Sequence, residues 1–293
     1  MSSASRSPAS RVLVDLNTQC DFLLPKGALP VWNRKDILPN IRRLMSWART
    51  SRVPVISSLE AHRPGESRKG LPPHCVDRTN GQKKLPFTLL PRRLLLMGDN
   101  TVDVPFQIFR RFQQVIFTKR DRDFLNNPKA DRLVNNIDVN HMIVFGVVTE
   151  YCVKAAVLGL ITRRHRVVVV SDACGCWSSS DHDLSLRQMD AKGAVLVTTE
   201  ELVTGAADER ILAAKRPLPT IEEEVPVDEF ALLTAPGGIH TSNGNGNGNG
   251  HARSNGHSHS GTNGDGNGED HLINPSLLRE ALTRKGLTRT QPN

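Results

Sequence analysis

The sequence is poor in aromatic residues, and its apolar residues never form a long run. Phe, Trp and Tyr make up 4% of 293 residues, with a single tyrosine. A stacking surface for single-stranded nucleic acid needs several aromatic side chains, so that class of site is not favoured. No window approaches the roughly 18 apolar residues of a membrane span, and the N-terminus lacks the apolar core of a secretory signal. We therefore expect a protein of the cytoplasm without a membrane partner.

The cysteines are few and show no regular spacing. An odd number of cysteines without framework spacing favours free thiols in a reducing compartment over a disulfide scaffold or a zinc ribbon. The five positions are Cys20, Cys75, Cys152, Cys174 and Cys176.

Positive charge exceeds negative charge, but no single run carries it. The net charge at pH 7 is +8 and the pI is about 9.5. Basic residues come in short groups such as Arg92-Arg93 and Arg110-Arg111, with acidic residues between the groups. A basic, solvated surface explains this pattern better than a nucleic-acid site, so we expect no nucleic-acid partner.

Low-complexity sequence sets the limits of the folded part. Residues 236–272 have almost no apolar side chains and cannot offset the entropy that ordering would cost. We predict disorder there and over residues 1–10, with one folded domain over 11–205 between them. An extension over 206–235 packs on the domain or leaves it, and residues 273–293 suit a short C-terminal helix.

Short apolar, β-branched runs recur along the domain. They are continuous rather than alternating, as expected for strands buried on both faces, and helical patterns such as DILPNIRRLMSWARTS and EYCVKAAVLGLITRRH lie between most of them. The pattern predicts a three-layer α/β/α fold with a mostly parallel, six-stranded, doubly wound sheet. The six runs are RVLVD (11–15), VPVISS (53–58), QVIFTK (114–119), MIVFGV (142–147), RVVVVSD (166–172) and AVLVTT (194–199).

Three chemically active side chains are expected at one edge of this sheet. Asp15 and Lys119 end two of the predicted strands, and Cys152 lies at the start of the helix after a third. In doubly wound sheets, ligands bind beyond the carboxyl ends of the strands, where these residues would meet. Each residue type alone is usually structural, so the prediction depends on their convergence.

The three side chains suit nucleophilic catalysis by a thiol. We predict that Thr149 caps the helix carrying Cys152, and that the helix dipole and Lys119 lower the pKa of the thiol. Asp15 would accept the thiol proton and later hand it to a leaving group. Backbone N–H groups of the turn at 147–149 suit an oxyanion hole, formed by the amides of Val148 and Cys152.

The segment GVVTEYCVKAA resembles the nucleophile segment of the isochorismatase-like cysteine hydrolases, a superfamily that includes nicotinamidases. The likeness extends to VDLNTQCDFLLPKGALPV, PPHCVDRTNG, FTKRDRDF and VVVVSDAC, in the family order, and spans residues 11 to 205. It implies the isochorismatase-like hydrolase fold, a catalytic triad of Asp15, Lys119 and Cys152, a thioester intermediate, and a cis peptide near Val147-Val148. It also implies a homo-oligomer, with Phe22 and Tyr151 in the substrate pocket.

The resemblance also raises the question of a metal. Nicotinamidases hold a divalent metal through an Asp-x-His pair and the histidine of a His-Cys-Val segment, and the matching positions here are Glu60, His62 and His74. Two histidines and a carboxylate suit Zn²⁺, Fe²⁺ or Mn²⁺. The alternative is that both histidines are ordinary loop residues beside prolines.

The sequence departs from the nicotinamidase pattern at three places. Glu60 replaces the usual aspartate, Ala61 replaces a tryptophan of the pocket, and two extra residues separate Asp15 from Gln19. We keep Asp15 as the expected base, in preference to Asp21, because the apolar run RVLV leads directly into it.

The sequence therefore predicts a cysteine-dependent amidohydrolase that cleaves a small amide to an acid and ammonia, with nicotinamide as the leading substrate. One alternative is metal-independent hydrolysis of a carbamoyl or ureido compound. Another is a catalytically silent binding scaffold. We also predict that residues 206–293 can be deleted without loss of hydrolysis.

Overall fold

A computed structural model describes residues 11–66, 70–98 and 101–214. The segments predicted to be disordered, 1–10 and 236–272, and the predicted C-terminal helix, 273–293, lie outside the described residues. Within the described part, no helix combines the length and the apolar character that a membrane crossing requires.

The described residues form one parallel sheet in the order β3-β4-β2-β1-β5-β6-β7, and every pairing between neighbours is parallel. The prediction of six strands was one short, because β3 was missed. Its sequence is the four-residue RLLL at the sheet edge, where half of its positions are exposed. The strands are β1 (Arg11–Leu16), β2 (Val55–Glu60), β3 (Arg93–Leu96), β4 (Gln114–Lys119), β5 (His141–Val147), β6 (Val167–Gly175) and β7 (Val195–Val197).

Helices cover both faces of the sheet, which confirms the predicted three-layer architecture. Ile41 of α2 and Leu202 of α7 pack in the core on one face, and Val134 of α4 and Val157 of α5 pack in the core on the other. The helices are α1 (Cys20–Leu23), α2 (Arg34–Thr50), α3 (Ile108–Arg111), α4 (Pro128–Asn136), α5 (Lys154–Thr162), α6 (Ser179–Ala191), α7 (Thr199–Thr204) and α8 (Asp208–Ala213).

The folded structure continues beyond residue 205 through α8. Ile211 is fully buried in the core, its carbonyl oxygen lies 3.2 Å from His141 Nε2, and Asp208 forms an ion pair with Arg11 at 2.6 Å. Deletion from residue 206 would remove these contacts, so we expect a truncation after α8 (Asp208–Ala213) to be better tolerated than one at residue 206.

Two adjacent residues of α8 allow a matched test of this packing. Ile211→Ala should lower the free energy of unfolding by about 2–4 kcal/mol, because it removes buried methylene groups and leaves a cavity. Leu212→Ala, at a position that is 62% exposed, should change it by less than about 0.5 kcal/mol. Urea unfolding of the full chain measures both, and equal losses would contradict the packing of α8 on the domain.

Candidate active site

The carboxyl ends of four neighbouring strands meet at one edge of the sheet. The four strands are neighbours in the order β4-β2-β1-β5. Strand β4 ends at Lys119, β2 at Glu60, β1 at Leu16, one residue after Asp15, and β5 at Val147. Glu60 and Lys119 are register partners, which brings their side chains to the same place. The predicted convergence at this edge is therefore present, with Glu60 as an additional member.

Cys152 lies in a tight turn between β5 and α5. Gly146 has a φ of 125°, and a Cβ at this position would lie 2.1 Å from the carbonyl oxygen of Leu16, so only glycine allows the close approach to β1. The peptide Val147-Val148 that follows is cis, as the resemblance implies. Residues Thr149–Val153 then form a π-helical turn that leads into α5. This turn places the Cys152 side chain, 2% exposed, against Lys119.

Two predictions about the environment of the thiol were wrong. Thr149 does not cap the helix; its hydroxyl donates to the carbonyl oxygen of Gly175 at 2.9 Å instead. Burial raises the pKa of the Cys152 thiol to about 11; the Lys119 charge offsets only part of this rise, and Glu60 adds to it. The thiol is therefore protonated at neutral pH and needs a proton acceptor before it can attack.

The carboxylate in contact with the sulfur belongs to Glu60. Its Oε1 accepts from Lys119 Nζ at 2.7 Å, from Asn17 Nδ2 at 3.1 Å and from Cys152 Sγ at 3.4 Å. Lys119 Nζ also lies 3.4 Å from the sulfur. Gln19 holds the Glu60 backbone on both sides, since its side-chain amide accepts from the Glu60 N–H and donates to its carbonyl oxygen. Glu60, Lys119 and Cys152 thus form a compact, buried cluster.

The Glu60 carboxylate and the Lys119 ammonium each stabilise the charged form of the other. Burial alone would raise the pKa of Glu60, but the Lys119 charge and hydrogen bonds from two imidazoles hold it well below its ordinary value. Burial would lower the pKa of Lys119, but Cys152 and Glu60 raise it above its ordinary value. At neutral pH the pair is therefore a carboxylate beside an ammonium, both oriented towards the thiol.

Asp15 has different partners. Its Oδ1 accepts from the Thr18 hydroxyl at 2.8 Å, and its Oδ2 accepts from the Ser57 hydroxyl at 2.9 Å and forms an ion pair with Lys84 Nζ at 2.9 Å. All four side chains are buried. Among the described contacts, none joins Asp15 to the Cys152 thiol. Of the predicted triad, the structure brings Lys119 and Cys152 into contact and gives Asp15 a separate buried network.

A potential metal-binding group lies on the other side of Glu60. Its Oε2 is 3.3 Å from His62 Nε2 and 3.2 Å from His74 Nε2, and one ligand atom from each residue fits within 4.8 Å of the others. His74 Nδ1 lies 2.8 Å from the carbonyl oxygen of Pro72, and His62 Nδ1 lies 3.4 Å from Glu66 Oε1. Outer partners of this kind orient metal-binding histidines in proteins. The donor set and its orientation therefore fit a divalent transition metal.

Comparison with known protein families matches residues 11–201 to the Isochorismatase domain. The chain belongs to the isochorismatase family. Its alignment with the nicotinamidase of Escherichia coli (strain K12) is 209 positions long at 25% identity, and it covers 65% of this chain and 95% of that protein.

Solved structures show the same isochorismatase-like fold. The pyrazinamidase of Pyrococcus horikoshii, solved in complex with zinc, gives a TM-score of 0.51 at 21% identity and covers 64% of this chain and 99% of its own. The nicotinamidase PncA of Bacillus subtilis gives a TM-score of 0.53 at 14% identity, with 64% of this chain and 99% of its own covered.

Within this isochorismatase domain, aromatic rings lie beside the group formed by Glu60, His62 and His74. Phe22 contacts His74 edge-on with ring centroids 5.6 Å apart, and Trp177 lies 6.5 Å from Phe22 and 6.4 Å from Tyr151. Arg122 lies over the Tyr151 ring at 5.4 Å. The predicted pocket residues Phe22 and Tyr151 are therefore linked through Trp177, which sequence reasoning missed. Trp177 lies two residues after the end of β6, at the same edge of the sheet, and this position could have predicted it as a pocket residue.

Two further residues of this isochorismatase site were missed. Asn17 and Lys84 complete the hydrogen bonding of Glu60 and of Asp15, respectively. Asn17 has a φ of 50° and lies in the two-residue extension between Asp15 and Gln19. The extension thus places an amide beside Glu60, which gives a physical meaning to this departure from the family pattern.

Backbone hydrogen bonds stabilise the turn that is predicted to form the oxyanion hole. The carbonyl oxygen of Val148 accepts from the backbone amides of Tyr151 and Val153, at 3.1 Å and 3.0 Å. These bonds hold the backbone around Cys152 in one conformation, as a preorganised donor site requires.

Proposed function

We propose that this protein is a cysteine-dependent amidohydrolase that converts a small amide to an acid and ammonia, with nicotinamide as the leading substrate. The observation that carries the proposal is the buried contact among Cys152, Lys119 and Glu60 at the carboxyl edge of the sheet. Membership of the isochorismatase family and the similarity to a nicotinamidase support the reaction class.

The first half of the reaction forms a thioester. The Cys152 thiol gives its proton to a carboxylate, and its sulfur attacks the amide carbonyl carbon. The amides of Val148 and Cys152 stabilise the resulting oxyanion. The proton is returned to the nitrogen, the C–N bond breaks and ammonia leaves. The contact between the sulfur and Glu60 Oε1 supports Glu60, in preference to Asp15, as the proton acceptor.

The second half regenerates the thiol. A water molecule gives a proton to the same carboxylate and adds to the thioester carbon. The C–S bond then breaks, the carboxylate returns the proton to the departing sulfur, and the carboxylic acid is released. Lys119 keeps its positive charge throughout and stabilises the negative charge that passes between Glu60 and the sulfur.

Glu60, His62 and His74 would hold the metal, and Zn²⁺, Fe²⁺ or Mn²⁺ suits this set of donors. Such an ion would supply a Lewis acid at which a ring nitrogen or a carbonyl oxygen of the substrate is oriented. The neighbouring rings of Phe22 and Trp177 would enclose a flat heteroaromatic amide, which supports nicotinamide among the candidate substrates.

Metal content tests the ligand set independently of activity. The purified protein should carry close to one equivalent of Zn²⁺, Fe²⁺ or Mn²⁺, and His74→Ala should lower the affinity at least about tenfold, because one of the three donors is lost. His141→Gln, a buried histidine at the other edge of the sheet, serves as the matched control. Mass spectrometry of the metals measures this, and equal metal content in both variants would exclude the site.

Ammonia release from nicotinamide and a panel of small carbamoyl and ureido compounds tests the reaction, with and without a chelator. Release from nicotinamide that is lost on chelation would support the nicotinamidase proposal. Release only from other amides, unaffected by the chelator, would favour the metal-independent alternative. No release across the panel would contradict an amidase acting on these compounds and favour the scaffold alternative.

A further inference from the structure

Asp21 is a buried carboxylate that the proposed reaction does not use. It lies in α1 and is 9% exposed. Its Oδ1 accepts from the backbone amide of Ala28 at 2.9 Å, and its Oδ2 accepts from the backbone amide of Cys75 at 2.7 Å. Among the described residues, no lysine or arginine forms an ion pair with it. Backbone amides therefore hold this carboxylate, and it holds the two loops to which those amides belong.

The shorter of these two bonds reaches the loop that carries His74. Cys75 follows His74 directly, is fully buried and has a φ of 46°, which few residues other than glycine adopt. A backbone in this region persists only where its surroundings hold it. The bond from the Cys75 amide to a charged oxygen supplies such a restraint, and it fixes the direction of the chain next to His74.

The same residue also connects to the second histidine. The carbonyl oxygen of Cys75 accepts from the backbone amide of His62 at 3.1 Å, and the carbonyl oxygen of His62 accepts from the amide of Asp77 at 2.8 Å. Both polar groups of the Cys75 backbone are thus used, the amide by Asp21 and the carbonyl by His62. One residue therefore links the Asp21 carboxylate to the backbone of both histidines.

Three chain segments pack closely around Asp21. A Cβ at Gly81 would lie 2.1 Å from Asp21 Oδ2, and a Cβ at Gly27 would lie 2.2 Å from the Asp21 carbonyl oxygen. The Asp21 amide donates to the carbonyl oxygen of Gly81 at 3.0 Å. Phe22, the next residue, contacts the His74 ring edge-on. Two adjacent residues of α1 thus act on His74, one through its loop and the other through its ring.

We propose that Asp21 is a positioning residue for the group formed by Glu60, His62 and His74. Its carboxylate fixes the loop that keeps the His74 imidazole beside the Glu60 carboxylate. The proposal rests on the metal site of the proposed function, because metal affinity depends on partners that hold the ligands in place.

Two variants disturb the contact in different ways. Asp21→Ala removes the carboxylate, whereas Gly81→Ala keeps it but displaces it, because the new Cβ would overlap Oδ2. In the full-length protein, freed of metal by a chelator, peptides covering 74–80 should exchange hydrogen roughly tenfold faster in both variants than in the wild type. The reason is that the bond to a charged acceptor no longer protects the Cys75 amide. The sequence of these peptides is the same in every protein compared.

The same variants should bind metal more weakly. Their Kd for Zn²⁺, measured by competition with a chromophoric chelator, should rise about tenfold, which is the lower end of the usual cost of losing an outer partner of a metal ligand. With Co²⁺ in place of Zn²⁺, the visible spectrum reports the ligand geometry, and it should change in both variants. Ammonia release is not measured here, so the result does not depend on the identity of the substrate.

Asp172→Ala is the matched control. Asp172 Oδ1 accepts from the amide and the hydroxyl of Thr199, both at 2.8 Å, so this variant also removes a carboxylate that holds backbone. It should lower stability but leave the exchange of 74–80 and the Zn²⁺ affinity unchanged. Wild-type Zn²⁺ affinity in folded Asp21→Ala and Gly81→Ala, or an equal loss in Asp172→Ala, would overturn the positioning role and leave the metal site standing. A wild-type protein that binds no Zn²⁺ would overturn the metal site itself, and the positioning role with it.

Discussion

Replacing Cys152 with alanine should reduce kcat/KM for amide hydrolysis at least about a thousandfold, because the thioester cannot form without the sulfur. Among the described contacts, Cys152 is the thiol that lies within hydrogen-bonding distance of Lys119 and Glu60. Ammonia release by the purified variant measures the effect. The loss should appear in kcat, since binding of the amide does not require the covalent bond.

Cys174→Ala is the control for this substitution. Cys174 is as deeply buried as Cys152, but its sulfur contacts the carbonyl oxygen of Val170 inside the core. We expect Cys174→Ala to keep nearly full activity and to have a lower thermal midpoint. Cys152→Ala should instead lose its activity and keep its thermal midpoint. If Cys152→Ala retained ammonia release above a tenth of the wild-type rate, Cys152 would not be the nucleophile.

The second large effect separates the two buried carboxylates. Glu60→Gln should lower kcat at least about a hundredfold, because the amide cannot accept the thiol proton and leaves the Lys119 charge unpaired. Asp15→Asn should act mainly on stability, by about 3–5 kcal/mol, because it leaves the buried Lys84 ammonium without its carboxylate. The activities of the two variants are compared at a temperature well below both of their unfolding midpoints, so that both proteins are folded. Their stabilities are compared by urea unfolding.

The loss of stability caused by Asp15→Asn should also depend on pH. Burial lowers the pKa of Lys84 below its ordinary value of 10.5, and Asp15 opposes this only in part. In the variant the folded state therefore favours neutral Lys84, so the unfolded chain binds the extra proton and stability rises with pH towards about 10.5. A folded, stable Asp15→Asn protein without activity, beside an active Glu60→Gln protein, would restore Asp15 as the base.

In the proposed function, Glu60 takes part in both proton transfer and metal binding. One oxygen contacts Lys119 and the thiol, and the other faces His62 and His74. Glutamate reaches one methylene further than the aspartate of the family pattern, and here its two oxygens contact different partners. Glu60→Gln should accordingly lose metal as well as activity, whereas Cys152→Ala should keep its metal.

Much of the fold could be predicted from the sequence because the signals are local. Continuous apolar runs such as MIVFGV mark strands buried on both faces, and alternation with helices makes the sheet parallel. A parallel sheet in turn gathers the strand ends, which is why Lys119 and Cys152 were expected together. The short edge strand Arg93–Leu96 escaped because four half-exposed residues give no clear pattern.

Which carboxylate meets the thiol was decided only in three dimensions. Asp15 and Glu60 both stand at the ends of neighbouring strands, and sequence pattern cannot distinguish their partners. The choice follows from side-chain contacts across strands: Lys84 draws Asp15 into one network, and Asn17 and Lys119 hold Glu60 in another. The cause is pairing through space between residues that are far apart in the chain.

The same reason accounts for a groove at the amino-terminal edge of the sheet, which is lined by five arginines. In the sequence, Arg49, Arg92 and Arg132 belong to separate short groups with acids between them, and they predict only a solvated surface. Folding gathers them because the segments before the strands of a parallel sheet all lie at one edge. The sequence by itself determined the layers, the strand ends and the thiol. The tertiary structure decided the partner of each charge, because a charge responds to its neighbours in space and not to those in the chain.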